Sequence, residues 1–324
     1  MSRAVDTNAL VEGVRGGDTR ALARAITLVE NGDPSAYEIV RALYPHTGRT
    51  HAVGLTGPPG AGKSSLVSAL VGCVRARGAT VGVISVDPSS PFTRGALLGD
   101  RIRLADHFLD PEVFIRSMGT RGHAGGLAEA TLQALLLLDA AGKDVVFLET
   151  VGSGQSDVGV LSIADTVVLV LQPGSGDSVQ ALKAGIMEIP DVIAVNKRDH
   201  PLARATATDV RQVLALAPPG ERRPPLVLTD ALGGGGVDEL WEAIEAHGRE
   251  PGLEERRRRN LAAEVFAVAS ARARRHLEAA VAGDRQLARL LERVQRRELD
   301  PLSAVRAILG EVFHLGDEDG SDAR

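Results

Sequence analysis

From residue 51 onward, short runs of consecutive apolar residues alternate with longer segments in which apolar positions recur every three or four. The apolar runs occupy 51–55, 80–86, 113–117, 144–148, 166–171, 192–195 and 226–228. Helical patterns fill 64–77, 126–141, 179–187, 203–215 and 237–247. Strands that are apolar at every position are buried on both faces, and strands separated by helices pair in parallel. The expected fold is therefore α/β: a doubly wound, mostly parallel sheet over about 49–248. Residues 1–48 read as a helical extension. Leu10, Val11 and Val14, then Leu22, Ile26 and Val29, carry its spacing, and Asn31-Gly32-Asp33-Pro34 breaks it before Tyr37, Ile39, Val40 and Leu43 restart it. After Pro251 no strand pattern remains. Residues 249–315 read as an arm of two or three long helices, with breaks at Gly283-Asp284 and Asp300-Pro301, and the acidic tail 316–324 is expected to be disordered.

Composition narrows the function. Hydrophobic residues make up 44% and charged residues 24%, which excludes wholesale disorder. A net charge of −5 argues against a nucleic-acid binder held by phosphate contacts. The longest apolar stretch, around 135–138, is punctuated by Gln133 and Asp139, so no membrane span or signal peptide is expected. A single cysteine, Cys73, leaves no internal disulfide and no thiolate metal cluster. The class expected is a cytoplasmic protein without membrane or nucleic-acid partners. Of the 37 basic residues only four are lysine: Lys63, Lys143, Lys183 and Lys197. Ammonium and guanidinium are not equivalent ligands, so these four mark places to look.

The first is decisive. Gly57-Pro58-Pro59-Gly60-Ala61-Gly62-Lys63-Ser64 fits the phosphate-binding loop G-x-x-x-x-G-K-[ST], between an apolar strand and an amphipathic helix. Pro58 and Pro59 lack an N–H, so the phosphate donors fall to Gly60, Ala61, Gly62, Lys63, Ser64 and Ser65. Lys63 would neutralise β- and γ-phosphates, and the Ser64 hydroxyl would bind Mg²⁺. Two further apolar strands end in acids, Asp87 and Glu149, which a parallel sheet brings to the same edge. Glu149-Thr150-Val151-Gly152 reads as an E-x-x-G form of the GTPase D-x-x-G element, with Glu149 toward the metal and the Gly152 amide toward the γ-phosphate.

Asn196-Lys197-Arg198-Asp199 follows another apolar strand and reads as N-K-x-D. A carboxylate at Asp199 accepts from N1–H and the N2 amino group of guanine, donors that adenine lacks there. Lys197 would lie along the base and Asn196 would brace the phosphate loop. Thr229-Asp230-Ala231-Leu232 stands where a Ser-Ala base loop is usual, with the Ala231 N–H available for guanine O6. An acid at Asp230 is a departure that bears on nucleotide affinity. GTP and GDP with Mg²⁺ are thus the expected cofactors.

With these elements placed, the chain resembles the methylmalonyl-CoA mutase-associated GTPases, the MeaB, ArgK or MMAA group. The stretches that carry the resemblance are GLTGPPGAGKSSL, SVDPSSPFTRGALLGDRIRL, RSMGTRGHAGGL, FLETVGSGQSDVGV, GSGDSVQALKAGIMEI and VNKRD. It implies a homodimeric P-loop GTPase of the SIMIBI class, dimerised through its C-terminal helices. Its implied task is to gate delivery of intact cofactor to an adenosylcobalamin-dependent acyl-CoA mutase. Three switches are implied at about 87–103, 149–159 and 172–183, with Asp87, Asp100, Glu149 and Lys183 as their metal and switch residues. Gly119, Ala124, Ser153 and Asp230 depart from the family pattern.

Small GTPases place a water-orienting Gln just after the D-x-x-G glycine. Here Ser153 holds that position and Gln155 is the nearest Gln, so slow intrinsic hydrolysis, accelerated by a partner, is expected. Arg94, Arg101, Arg103 and Arg121 are loop cations near the same edge; each, like His123, has an equally good reading as solvated surface. A nickel-inserting GTPase would share the fold but needs clustered Cys and His. A kinase of a transport protein would need an ATP-selective base site. The run Glu254-Glu255-Arg256-Arg257-Arg258-Arg259 reads as a solvated helix face with i,i+4 pairs.

Overall fold

A computed structural model of the chain describes residues 5–87, 104–119, 124–150, 162–174, 176, 190–216, 218 and 222–313. It divides into two compact units, Met1–Glu264 and Val265–Arg324. The first unit is built on a seven-stranded sheet. Its strands are β1 (His51–Thr56), β2 (Val81–Asp87), β3 (Val113–Gly119), β4 (Val145–Thr150), β5 (Thr166–Leu171), β6 (Val192–Val195) and β7 (Leu226–Leu228). Their order is β3-β2-β4-β1-β5-β6-β7, and every neighbouring pair is parallel. Each strand falls within two residues of its expected place.

Ten helices are described: α1 (Thr7–Arg15), α2 (Thr19–Glu30), α3 (Pro34–Leu43), α4 (Lys63–Ala76), α5 (Ala124–Ala140), α6 (Ala203–Ala215), α7 (Val237–Gly248), α8 (Leu253–Gly283), α9 (Arg285–Gln295) and α10 (Pro301–Phe313). The helical pattern at 179–187 lies outside the described residues. Alternate strand residues point to opposite faces, so each strand feeds two cores. Val145 and Phe147 pack with α4 and α7, whereas Val146 and Leu148 pack with α5. Leu169, Leu171, Ile193 and Val195 meet α6.

The three N-terminal helices share the α5 side of the sheet. Asp6, Asp18 and Asp33 each cap one of them, accepting from the amides of Ala9, Arg20 and Ser35. Their apolar stripes (Val14, Leu22, Ile26, Ile39, Leu43) are buried in one cluster with α5 and strand residues Ile84, Val146 and Leu148. Helix α5 is therefore covered from both sides, which accounts for the apolar run at 135–138. No described helix is long and apolar enough to cross a membrane. In the second unit Asp284 and Asp300 cap α9 and α10, at the two breaks the sequence marks.

The N-terminal edge of the sheet holds a buried polar chain. His51 Nε2 lies 2.8 Å from Thr166 Oγ1, which lies 2.7 Å from His247 Nδ1. His247 Nε2 is 3.0 Å from Asp191 Oδ1, and Arg256 Nη1 donates to the same oxygen at 2.9 Å. Arg257 forms a two-pronged pair with Asp165 and also donates to the Thr50 carbonyl. The arginine run is thus only partly a solvated face: Arg256 and Arg257 turn inward, and the pairing of Glu254 is with Arg257 at i,i+3. Lys143 is half-buried, with Nζ on the Glu112 carbonyl.

This chain predicts how stability responds to acid. Burial would raise the Asp191 carboxyl, but the His247 hydrogen bond, the Val167 amide and the Arg256 charge outweigh it and hold it below the usual carboxylate value. Burial pushes the His51 imidazole down. The unfolded chain takes up the His51 proton near the ordinary value of about 6.5, while the folded chain still resists it. Stability is therefore full above about pH 6.5 and falls as the pH drops through the window between the two values. Thermal unfolding at pH 7.5 and pH 5.5 should show a larger fall in Tm for the natural protein than for His51→Gln; equal falls would remove His51 from the account.

Candidate functional site

The phosphate loop leaves β1 at Thr56 and closes on α4 at Lys63. Gly62 takes the cap position of that helix with φ 89°, so no capping side chain covers the first-turn amides of Lys63, Ser64 and Ser65. Lys63 is buried, and its Nζ donates to the Gly57 carbonyl at 2.7 Å and more weakly to that of Pro58 at 3.4 Å. The ammonium is thus curled over its own loop, where a phosphate would be cradled. Ser64 Oγ donates to Glu149 Oε1 at 2.5 Å, with both side chains buried.

Register explains that meeting. Leu55 of β1 pairs with Glu149 of β4, and Thr150 of β4 pairs with Val86 of β2, one residue before Asp87. The P-loop and both acids therefore share the C-terminal edge of three adjacent strands, the place where open parallel sheets bind ligands. Ser64, Glu149 and Asp87 are hard oxygen donors, the chemistry that Mg²⁺ takes. A buried Ser64–Glu149 contact at hydrogen-bond distance fits a group that accepts a hydroxyl and a carboxylate together.

The same edge gathers the base motif. Asn196, which is 2% exposed, is a brace with two ends. Its Nδ2 donates to the Ala61 carbonyl at 2.9 Å, and its Oδ1 accepts from Ala231 N at 3.1 Å and Thr229 Oγ1 at 3.3 Å. A Cβ at residue 62 would stand 2.4 Å from that Nδ2, so the loop glycine is required for the brace to close. Lys197 has φ 58°, an unusual value for a lysine, and this turn sends its Nζ to the Gly60 carbonyl at 2.9 Å. Asp199 is exposed at the rim. Arg198 N donates to the Thr229 carbonyl at 2.9 Å, which ties the two base loops together.

Gly57, Gly60, Ala61, Gly62, Lys63, Ser64, Ser65, Glu149, Asn196, Lys197, Asp199, Asp230, Ala231 and Leu232 are thus brought to one end of one sheet. Asp87 ends β2 at that edge. Asp100, Gly152 and Lys183 lie outside the described residues, as do Arg94, Arg101, Arg103, Arg121, His123, Ser153 and Gln155. Two contacts join the site that the motifs do not specify, although Gln172 opens the implied 172–183 switch and Thr229 opens the base loop. Gln172 Oε1, just past β5, lies 3.5 Å from Lys197 Nζ, and the Thr229 hydroxyl holds Asn196. The position of Gln172 directly after an apolar strand is the signal that could have marked it.

Comparison with known proteins shows the family. The family model described as methylmalonyl Co-A mutase-associated GTPase MeaB matches residues 22–282. A protein of Pyrococcus abyssi is 48% identical over 315 residues, covering 95% of this chain and 97% of that one. The GTPase ArgK of Escherichia coli is 37% identical over 244 residues, covering 72% of this chain and 73% of that one. Among solved structures, a LAO/AO transport system kinase superposes with a TM-score of 0.71 at 28% identity, covering 97% of this chain and all of that one.

Proposed function

The chain belongs to the MeaB family of methylmalonyl-CoA mutase-associated GTPases and hydrolyses GTP, and from that we propose that it guards an adenosylcobalamin-dependent acyl-CoA mutase. Methylmalonyl-CoA mutase is the first candidate. The protein gates cofactor loading by GTP binding and hydrolysis and works in the cytoplasm. The observation that carries the nucleotide half is the Asn196 brace, which locks the phosphate loop and the base loop into one site. The family match supports the mutase half.

In this reading Lys63 neutralises the β- and γ-phosphates, and the amides from Gly60 to Ser65 wrap them. Ser64, Asp87 and Glu149 hold Mg²⁺, which when bound offsets the phosphate charge. Asp199 and Lys197 hold guanine, beside the Ala231 amide that donates to Asn196 Oδ1. Gly152, Asp100 and Lys183 act from the switches. No Gln follows Gly152 directly, so intrinsic turnover is slow and the mutase accelerates it by ordering those segments. Exposed Val265, Phe266, Leu291, Leu302 and Val305 on the C-terminal helices support a homodimer formed there.

The test is cofactor loading. Apo-mutase mixed with adenosylcobalamin and this protein should load in a manner that depends on GTP rather than GDP. Loading that ignores the nucleotide, with every acyl-CoA mutase tried, would remove the gating role.

A further inference from the structure

Ser85 is 2% exposed, and its Oγ has no hydrogen-bond partner among the described residues. A buried hydroxyl left unbonded costs about 1–3 kcal/mol, and native structures keep few of them. Its neighbours show where a partner could come from. Val81 and Val83 of β2 pack in the α4 core, as do Val145 and Phe147 of β4, so Ser85 and Glu149 continue the same face by alternation. The two are register partners on adjacent strands. Ser117 of β3 is the register partner on the other side and does not bond the hydroxyl. Strand order sets β4 between β1 and β2. Glu149 therefore stands between Ser85 and the phosphate loop, which leaves β1 and brings Ser64 Oγ to 2.5 Å from Oε1.

We propose that Ser85 is a positioning residue for Glu149 in the metal-loaded site: its hydroxyl donates to the carboxylate once Mg²⁺ has entered beside Ser64. Neighbouring ligands of an octahedral Mg²⁺ stand about 2.9 Å apart, and farther when water intervenes. The 2.5 Å contact between Ser64 and Glu149 must therefore open to admit the ion. The carboxylate then shifts away from the loop, toward β2 and the waiting hydroxyl. A second donor fixes its oxygens and turns an idle buried group into a charge-assisted bond. The Ser85 hydroxyl is thus satisfied only when the metal is present. This rests on the reading of Ser64 and Glu149 as Mg²⁺ residues.

The test is a Mg²⁺ titration of the full chain, read by the metal-dependent retention of a fluorescent GDP. Loss of one hydrogen bond to a charged group should raise the half-saturating Mg²⁺ concentration roughly tenfold in Ser85→Ala, with GDP affinity in EDTA unchanged. Without nucleotide or metal, the Tm of Ser85→Ala should equal or exceed that of the natural protein, because no bond is lost there. Ser85→Thr and Ser85→Val add the same bulk and differ in the hydroxyl, so the Ser85→Thr protein should need about fivefold less Mg²⁺ than the Ser85→Val protein. An unchanged Mg²⁺ requirement in Ser85→Ala, an equal loss of GDP affinity in EDTA, a clear fall in the Tm of the empty protein, or like behaviour of the Ser85→Thr and Ser85→Val proteins would overturn the proposal. If Glu149→Gln leaves the Mg²⁺ requirement intact, the metal site itself is misplaced, a failure separate from that of Ser85.

Discussion

Lys63→Ala should leave a folded protein that no longer holds GTP. The lysine is buried at the mouth of the phosphate loop, and its described bonds run to the carbonyls of Gly57 and Pro58. Both of those acceptors are uncharged carbonyl oxygens. A bound triphosphate would present concentrated negative charge at the same place, so the interaction grows when the nucleotide arrives. Truncating one partner of a buried charged contact typically costs about 2–5 kcal/mol. GTP affinity should therefore fall by a factor between about thirty and several thousand, and hydrolysis at ordinary GTP concentrations should vanish. Core packing against α4 rests on Leu66, Val67, Leu70, Val71 and Val74, which the change does not touch. Circular dichroism and Tm should stay close to those of the natural protein, and equilibrium binding of labelled GTP gives the reading.

The second large effect falls on the base. A carboxylate at Asp199 accepts from two adjacent guanine donors, N1–H and the N2 amino group. In Asp199→Asn one acceptor becomes an NH₂ that faces the N2 amino group, donor against donor. GTP binding should drop about a hundredfold or more, because a site built around hydrogen bonds rejects a mismatched edge strongly. Xanthosine triphosphate carries a carbonyl at position 2 beside its N1–H, a pattern that the amide matches, and its affinity should rise. Asp199 is exposed, so stability should not follow the change. Competition between GTP and XTP on the two proteins reads the exchange directly.

These two residues were legible because their chemistry lies within a few positions of sequence. A glycine loop, a lysine and a serine between strand and helix define a phosphate site without any tertiary knowledge, and so do four residues after an apolar strand. Strand positions were equally legible, since a strand buried on both faces is apolar throughout. The N-terminal helices were legible as helices, but their place on the α5 face was not. An amphipathic stripe states that it must be covered and is silent on what covers it. The buried chain from His51 through Thr166 and His247 to Asp191 joins residues up to 196 positions apart in sequence. Each of these residues looks like ordinary surface until the parallel register brings the starts of β1 and β5 together. Arg256 and Arg257 misled for the same reason: inside a run of four arginines, nothing local tells the two that turn inward from the two that do not. At position 230, the sequence showed a departure from serine, and only the structure shows the acid accepting from the amides of Leu232 and Gly233.

The measurement that bears most directly on the whole account is hydrolysis by the purified protein, with GTP and ATP in parallel, alone and with a methylmalonyl-CoA mutase from the same source. Slow turnover of GTP alone, no turnover of ATP, and a many-fold rise in the GTP rate when the mutase is added are the predicted results. ATP consumed faster than GTP, or a GTP rate that no acyl-CoA mutase changes, would contradict it.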